Sequence, residues 1–144
     1  MSVLYVLDTD HIALLQRNHP TVTSRFTALP PEVIAVTIVS AMEQVRGRLA
    51  QIHRAKTVPE VINAFARFQE ALHFYRTVPV LPYEETAAGQ FARLRQVLKS
   101  APGTQDLRIA AIALSRGATL VTRNQRDFES IPGLQLEDWS LLTP

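Results

Sequence analysis

The sequence predicts an α/β fold, a parallel sheet of four to five strands flanked by helices on both faces. Three observations lead there. Short runs that are apolar without alternation recur along the chain, as strands buried on both faces require. Longer stretches of helical periodicity separate them and can carry the chain back over the sheet. Proline and glycine punctuate the joints, at Pro30-Pro31, Pro102-Gly103 and Gly117.

The elements follow in order. Val3-Leu4-Tyr5-Val6-Leu7 is the first strand, and it stops at Asp8-Thr9-Asp10, where Ile12, Leu14 and Leu15 begin a helix. A second helix is expected over residues 21–29, ending before Pro30-Pro31. Val33-Ile34-Ala35-Val36 reads as the second strand, and residues 37–54 then carry helical spacing through Met42, Val45, Leu49 and Ile52. Pro59 starts another helix, where proline is tolerated, with Val61, Ile62, Phe65, Phe68, Leu72 and Tyr75 along one stripe. Val78-Pro79-Val80-Leu81 is a short third strand, its proline suited to a strand start or an edge. Residues 83–98 are helical through Ala87, Phe91, Leu94 and Leu98, and Ser100-Ala101-Pro102-Gly103-Thr104 is a loop. Residues 106–116 form a helix closed by Gly117 as a left-handed cap. Thr119-Leu120-Val121-Thr122 is the fourth strand; a turn over 124–131 follows, and Leu134-Gln135-Leu136 is a final edge strand. With no repeat or linker, residues 1–144 are expected to form a single domain.

Composition narrows the classes. No apolar run approaches the roughly 18 residues of a membrane span. The N-terminus reaches Asp8 with no basic region or cleavage site, so no signal peptide is expected, and a cytoplasmic protein is. The chain has no cysteine, which excludes disulfides and thiolate metal sites. Net charge is +2, with 13 arginines against two lysines. Arginine's planar fork matches phosphate oxygens, so a polyanionic partner is one reading and a solvated helical surface the other.

Ligands of open parallel sheets bind beyond the carboxyl ends of the strands. Asp8 and Asp10 follow strand one, Glu43 lies two turns into the helix after strand two, Asp106 opens the helix feeding strand four, and Asp127 lies in the turn after it. Each has a plainer alternative. Asp10 is expected to cap its helix whatever else it does, and Asp106 suits a helix N-terminus. Glu43 can be a solvated helix residue, and Asp127 a turn former. Their shared edge favours one site. Asp8 matters most, because a carboxylate at the tip of a buried strand needs a partner for its charge, and a hard divalent cation is the natural one. His11, His19, His53 and His73 show no ligand spacing; His11, beside Asp10, can approach the site, with a surface or packing role the expectation for it. No glycine-rich phosphate loop is present.

Leu7-Asp8-Thr9-Asp10, Glu43 with Arg46-Gly47, and the run from Gly103-Thr104-Gln105-Asp106 through Ala110-Ala111 resemble PIN-domain nucleases. Leu120-Val121-Thr122-Arg123-Asn124-Gln125-Arg126-Asp127-Phe128, then Ile131-Pro132-Gly133-Leu134 and Trp139, sharpen the resemblance to the VapC-type toxins of bacterial toxin–antitoxin modules. It implies a PIN-like sheet and an endoribonuclease dependent on Mg²⁺, or Mn²⁺. It also implies a homodimer silenced by a cognate antitoxin encoded beside it. Asp8, Glu43 and Asp106 match three acids of the family site; Asp127 stands as the fourth where Asn124 replaces the acid of many members. Asp8 and Asp106 are the implied metal ligands, and the metal would polarise the scissile phosphate and activate water. Thr9 and Thr122 are candidates to orient carboxylates, Asn124 a neutral ligand, and Arg123 and Arg126 candidate RNA phosphate contacts. The RNA cut is left open, a tRNA among the options. The apolar stripe from Val61 to Tyr75 is expected to take an antitoxin helix, or else to serve as core or dimer interface.

Two other readings stand beside this. Asp8-Thr9-Asp10 after an apolar strand also resembles the nucleophile and acid of haloacid-dehalogenase-type phosphatases, although no lysine or later acid pair completes that pattern. A catalytically inactive PIN module binding RNA or protein is the third.

Overall fold

The computed structural model describes residues 3–99 and 101–142; Ser100 of the expected loop lies outside the described residues. The chain runs β1 (Tyr5–Leu7), α1 (Thr9–Gln16), α2 (Pro20–Ala28), a single 3-10 turn (Pro31–Val33), β2 (Ile34–Thr37), α3 (Ile38–Arg54) and α4 (Val58–Thr77). It continues through β3 (Val80–Leu81), α5 (Glu85–Val97), α6 (Thr104–Ser115), β4 (Thr119–Val121), α7 (Gln125–Phe128) and β5 (Gln135–Glu137). The strands make one parallel sheet in the order β3-β2-β1-β4-β5. The fold class is the expected one.

Side-chain alternation explains why the strands read as continuously apolar. Along β1, Val6 enters one core with Ala35, Leu120 and the buried faces of α5 and α6. Leu7 enters the other, with Ile12, Val22, Val36, Val121 and Trp139. Successive residues of a strand face opposite sides, so a sheet covered on both sides is apolar at every position. Pro79 precedes the short edge strand β3, where its missing N–H costs no ladder bond. Gly117 takes φ 62 after α6, the left-handed conformation expected of it.

The differences lie at element ends and in one turn. α2 begins at Pro20, because the His19 ring accepts the Val22 N–H at 3.3 Å and caps the helix. α4 begins at Val58 under a capping box in which Thr57 and Glu60 satisfy each other's backbone N–H. The turn over 124–131 contains the helical turn α7. The stripe on α4 is also split. Ala64 and Ala71 are buried, Phe68 and Tyr75 are half-buried, and Ile62 and Phe65 stand 65% and 54% exposed beside exposed Val58 and Leu72. None of the described helices is long and apolar enough to cross a membrane.

Candidate active site

The strand order reverses between β1 and β4, since the chain moves outward through β2 and β3 and returns on the other side of β1. A crevice beyond the carboxyl ends is the expected ligand position of such a sheet, and Asp8 leaves β1 there. Its backbone N–H still bonds to Val121 O at 3.0 Å, after which Asp8 turns extended and its Oδ1 accepts the His11 N–H at 2.8 Å. Asp8, not Asp10, therefore caps α1. The correction follows from where the strand ends: β1 stops at Leu7, so the first residue off the ladder takes the capping position.

Asp10 sits in the first turn of α1 and is exposed. Arg123, just past β4, donates to it twice, from Nε at 2.6 Å and Nη2 at 3.1 Å. This bidentate pair ties the ends of β1 and β4 together, so Arg123, a candidate phosphate contact by sequence, is already engaged by a carboxylate. The pairing also removes Asp10 from the role of free acid that the phosphatase alternative gave it. Arg126 is exposed and makes no ion pair among the described residues.

Glu43 is reached from α1. Thr9 Oγ1 lies 2.7 Å from Glu43 Oε1 and 2.9 Å from Ser40 Oγ. A hydroxyl has one proton and the carboxylate can only accept, so Thr9 donates to Glu43 and Ser40 donates to Thr9. Thr122 does not orient a carboxylate. Its buried hydroxyl instead accepts the Asn124 N–H at 3.0 Å and holds the turn after β4. Asn124 in turn donates its amide to Asp127 Oδ2 at 2.8 Å. Asp106, in the first turn of α6, is half-buried, and among the described residues no hydrogen bond or ion pair engages its carboxyl.

Electrostatics joins the acids. The Asp106 carboxyl is pushed above its ordinary range, first by burial and then by the negative charges of Glu43, Asp8, Asp127 and Asp10; nothing offsets them. In charge and donor type the four acids fit a hard divalent cation. Their oxygens are not gathered around one point, since among the described residues no three acids or imidazoles stand at spacings that hold a metal ion. Asp8, Glu43 and Asp127 each direct one oxygen to a protein donor instead.

One participant had been given a surface or packing role ahead of a place at the site. His11 is fully buried, and its Nδ1 lies 3.3 Å from Asp8 Oδ1. Its Nε2 accepts the backbone N–H of Trp139 at 3.1 Å. Asp138 Oδ1 lies 3.5 Å from the same nitrogen, but that oxygen already accepts from Ser140 N and Oγ at 2.8 and 2.6 Å. Nε2 cannot accept and also carry a proton, so Nδ1 carries it and donates to Asp8. The only local signal is the spacing of Asp8 and His11 at a helix start.

The raised Asp106 carboxyl has a consequence for stability. A folded-state pKa above the unfolded one adds stability at low pH that is lost as pH rises through the folded value. Asp106→Asn in EDTA should therefore raise Tm at neutral pH by about 2–5 °C, with the gain over wild type shrinking as pH falls through the carboxylate range. Equal or lower Tm of the variant at neutral pH would contradict a clustered charge.

No protein-family model matches the chain. It is 30% identical over 139 residues to the tRNA(fMet)-specific endonuclease VapC of Salmonella typhimurium, covering 94% of this chain and 97% of that one. It is 26% identical over 147 residues to Ribonuclease VapC1 of Haemophilus influenzae, covering 96% and 99%. The fold superposes on the DNA-bound VapBC structure from Salmonella typhimurium with a TM-score of 0.76 at 30% identity, over 96% of this chain and 99% of that chain. With the sheet and the near-full-length similarity in agreement, the chain belongs to the VapC family of ribonucleases.

Proposed function

We propose that this protein is an Mg²⁺- or Mn²⁺-dependent endoribonuclease, the toxin of a type II toxin–antitoxin module, acting in the cytoplasm. The observation that carries the metal requirement is Asp106, a half-buried carboxyl raised first by burial and then by the charges of four neighbouring acids, with no ion pair of its own among the described residues. A bound divalent ion supplies Lewis acidity at the scissile phosphate and lowers the pKa of water. The chain's own groups do the rest. Asp8 and Asp106 are the ligands, Asp8 oriented by the His11 ring and the α1 N-terminus. Glu43, held through Oε1 by Thr9, keeps Oε2 available to accept a hydrogen bond from the attacking water. Asp127 is steadied by Asn124, and exposed Arg126 is the candidate for a backbone phosphate contact.

The relative named for tRNA(fMet) makes a tRNA the first substrate to test. The Salmonella structure is a VapBC assembly, and the exposed Val58, Ile62, Phe65 and Leu72 on α4 offer an apolar surface for a cognate antitoxin or a second copy of the chain.

Purified protein should cut RNA internally with Mg²⁺ or Mn²⁺ and not in EDTA, leaving small phosphate esters intact. The same ion should stabilise the fold, by about 2.7 kcal/mol at a hundred-fold excess over its dissociation constant. A melting curve indifferent to the metal would count against the metal site. Hydrolysis of small esters with a phosphoaspartate at Asp8 would replace the nuclease by a phosphatase.

A further inference from the structure

On the face formed by α1, α3 and α4 lies a cleft of about 730 Å³, whose walls include Arg17, Arg48, Gln51, Asn63, Arg67 and Glu70. Two amide hydrogen bonds between Gln16 and Gln44, at 3.0 and 2.7 Å, fasten α1 to α3 at its edge. The mechanism above uses none of these residues.

Three features point to an anion. The cleft gathers three guanidinium groups against one carboxylate, Glu70, and among the described residues none of those arginines forms an ion pair. Arg48 and Arg67 repel: burial and then the Arg67 charge weaken the hold of Arg48 on its proton, with Tyr75 and Glu70 acting the other way. Lastly, Arg48 Nε is sealed from solvent without a hydrogen-bond partner, as is the Oε1 of neighbouring Gln51, so only the terminal nitrogens of that guanidinium are left to meet a ligand. Terminal guanidinium nitrogens beside a second arginine are suited to the oxygens of one anion.

The lining favours a nucleic-acid phosphate over a protein carboxylate. Protein interfaces are anchored by apolar and aromatic side chains, yet the apolar contribution here is Ala13 and Ala71 alone, set among guanidinium and amide groups. The apolar stripe of α4, with Ile62, Phe65 and Leu72, occupies different positions from the Asn63, Arg67 and Glu70 that line the cleft. The cleft is also close to the acids. Arg48 follows Glu43 by five residues on α3, roughly 7.5 Å along the axis and about 140° round it, so the two leave the helix on different faces, and the buried Tyr75 hydroxyl feels the charges of both.

We propose that this cleft is a substrate subsite, in which Arg48 and Arg67 bind a backbone phosphate of the RNA other than the one being cut. The proposal rests on the ribonuclease reading and adds a second phosphate contact to it. Arg17 at the rim adds positive charge, while Glu70 limits how tightly the phosphate is held.

Binding of fluorescein-labelled unfractionated tRNA, measured in EDTA so that no strand is cut, tests it across a range of salt. Arg48→Gln and Arg67→Gln should each weaken binding roughly three- to ten-fold and flatten the slope of log K against log salt by about 0.7–0.9. Glu70→Gln should tighten binding, an opposite sign that misfolding cannot mimic. With Mg²⁺ and saturating RNA, the arginine variants should show raised KM with kcat near wild type. Wild-type affinity and slope in both arginine variants would overturn the subsite while leaving the ribonuclease intact. A wild type that neither binds nor cuts RNA would remove both readings. Arginine variants that bind RNA normally but lose a co-expressed partner protein would reassign the cleft to protein docking.

Discussion

Asp8→Asn should abolish RNA cleavage while leaving the fold standing. Asparagine is as good a helix cap as aspartate, so its side-chain oxygen can still accept the His11 N–H that Asp8 accepts at 2.8 Å. Core packing is untouched, because the carboxylate stands beyond Leu7 at the strand tip. What disappears is one negative charge from the group that raises the Asp106 carboxyl. Loss of a residue that merely orients a metal ligand costs about 10–100-fold, so loss of a ligand's charge should exceed that range. RNA cleavage under Mg²⁺, set beside thermal unfolding in EDTA, reads both halves of the expectation. Retained cleavage would remove Asp8 from the metal site. Asp8→Ala should differ by also losing about 1 kcal/mol of stability through the missing cap.

Trp139→Ala should produce the largest loss of stability. Trp139 is fully buried in the core on the α1–α2 side of the sheet. Its ring lies 5.5 Å from that of Tyr5, its Nε1 donates to Glu137 Oε1 at 3.0 Å, and Arg25 stacks 5.7 Å from its centroid. Removing a buried aromatic costs about 3–5 kcal/mol, which for a domain of this size lowers Tm by roughly 10–15 °C. The effect should reach the site as well. The Trp139 backbone N–H is the donor to His11 Nε2, and a segment loosened by loss of the indole would free the ring that donates to Asp8. Trp139→Phe keeps most of the packing and should recover most of the stability and the cleavage. Comparing urea unfolding of the two variants separates packing from the hydrogen bond to Glu137; an unchanged midpoint in Trp139→Ala would show that the C-terminal segment does not hold the site.

The fold and the acid positions were legible in the sequence for one reason: both are written in short-range patterns. Unbroken apolar runs ending at Leu7, Val36 and Val121 identify strands covered on both faces, and a parallel sheet sends everything just past those ends to one edge. Asp8 and Asp127 fall there by chain position, Glu43 and Asp106 by their places on the adjoining helices α3 and α6. The cap on α2 was missed because it uses a histidine, a residue type outside the usual N-cap set. Asp10 was assigned the cap of α1 because a two-residue shift in where a helix starts is invisible to propensity.

What the tertiary structure alone decided is which charges remain available. Arg123 and Asp10 are 113 residues apart in sequence, and only the β1–β4 pairing places one guanidinium against that carboxylate. His11 and Trp139 are 128 apart, and their bond turns a core histidine into a support for Asp8. Arg48 and Arg67 become neighbours because α3 and α4 pack together, with Ala64 and Ala71 buried on α4. By itself, then, the sequence determined the sheet and the edge that the acids approach, since backbone preference and alternation depend on adjacent residues. The structure decided which arginines are paired and which are free, since charge pairing depends on distances that exist only after the helices have packed.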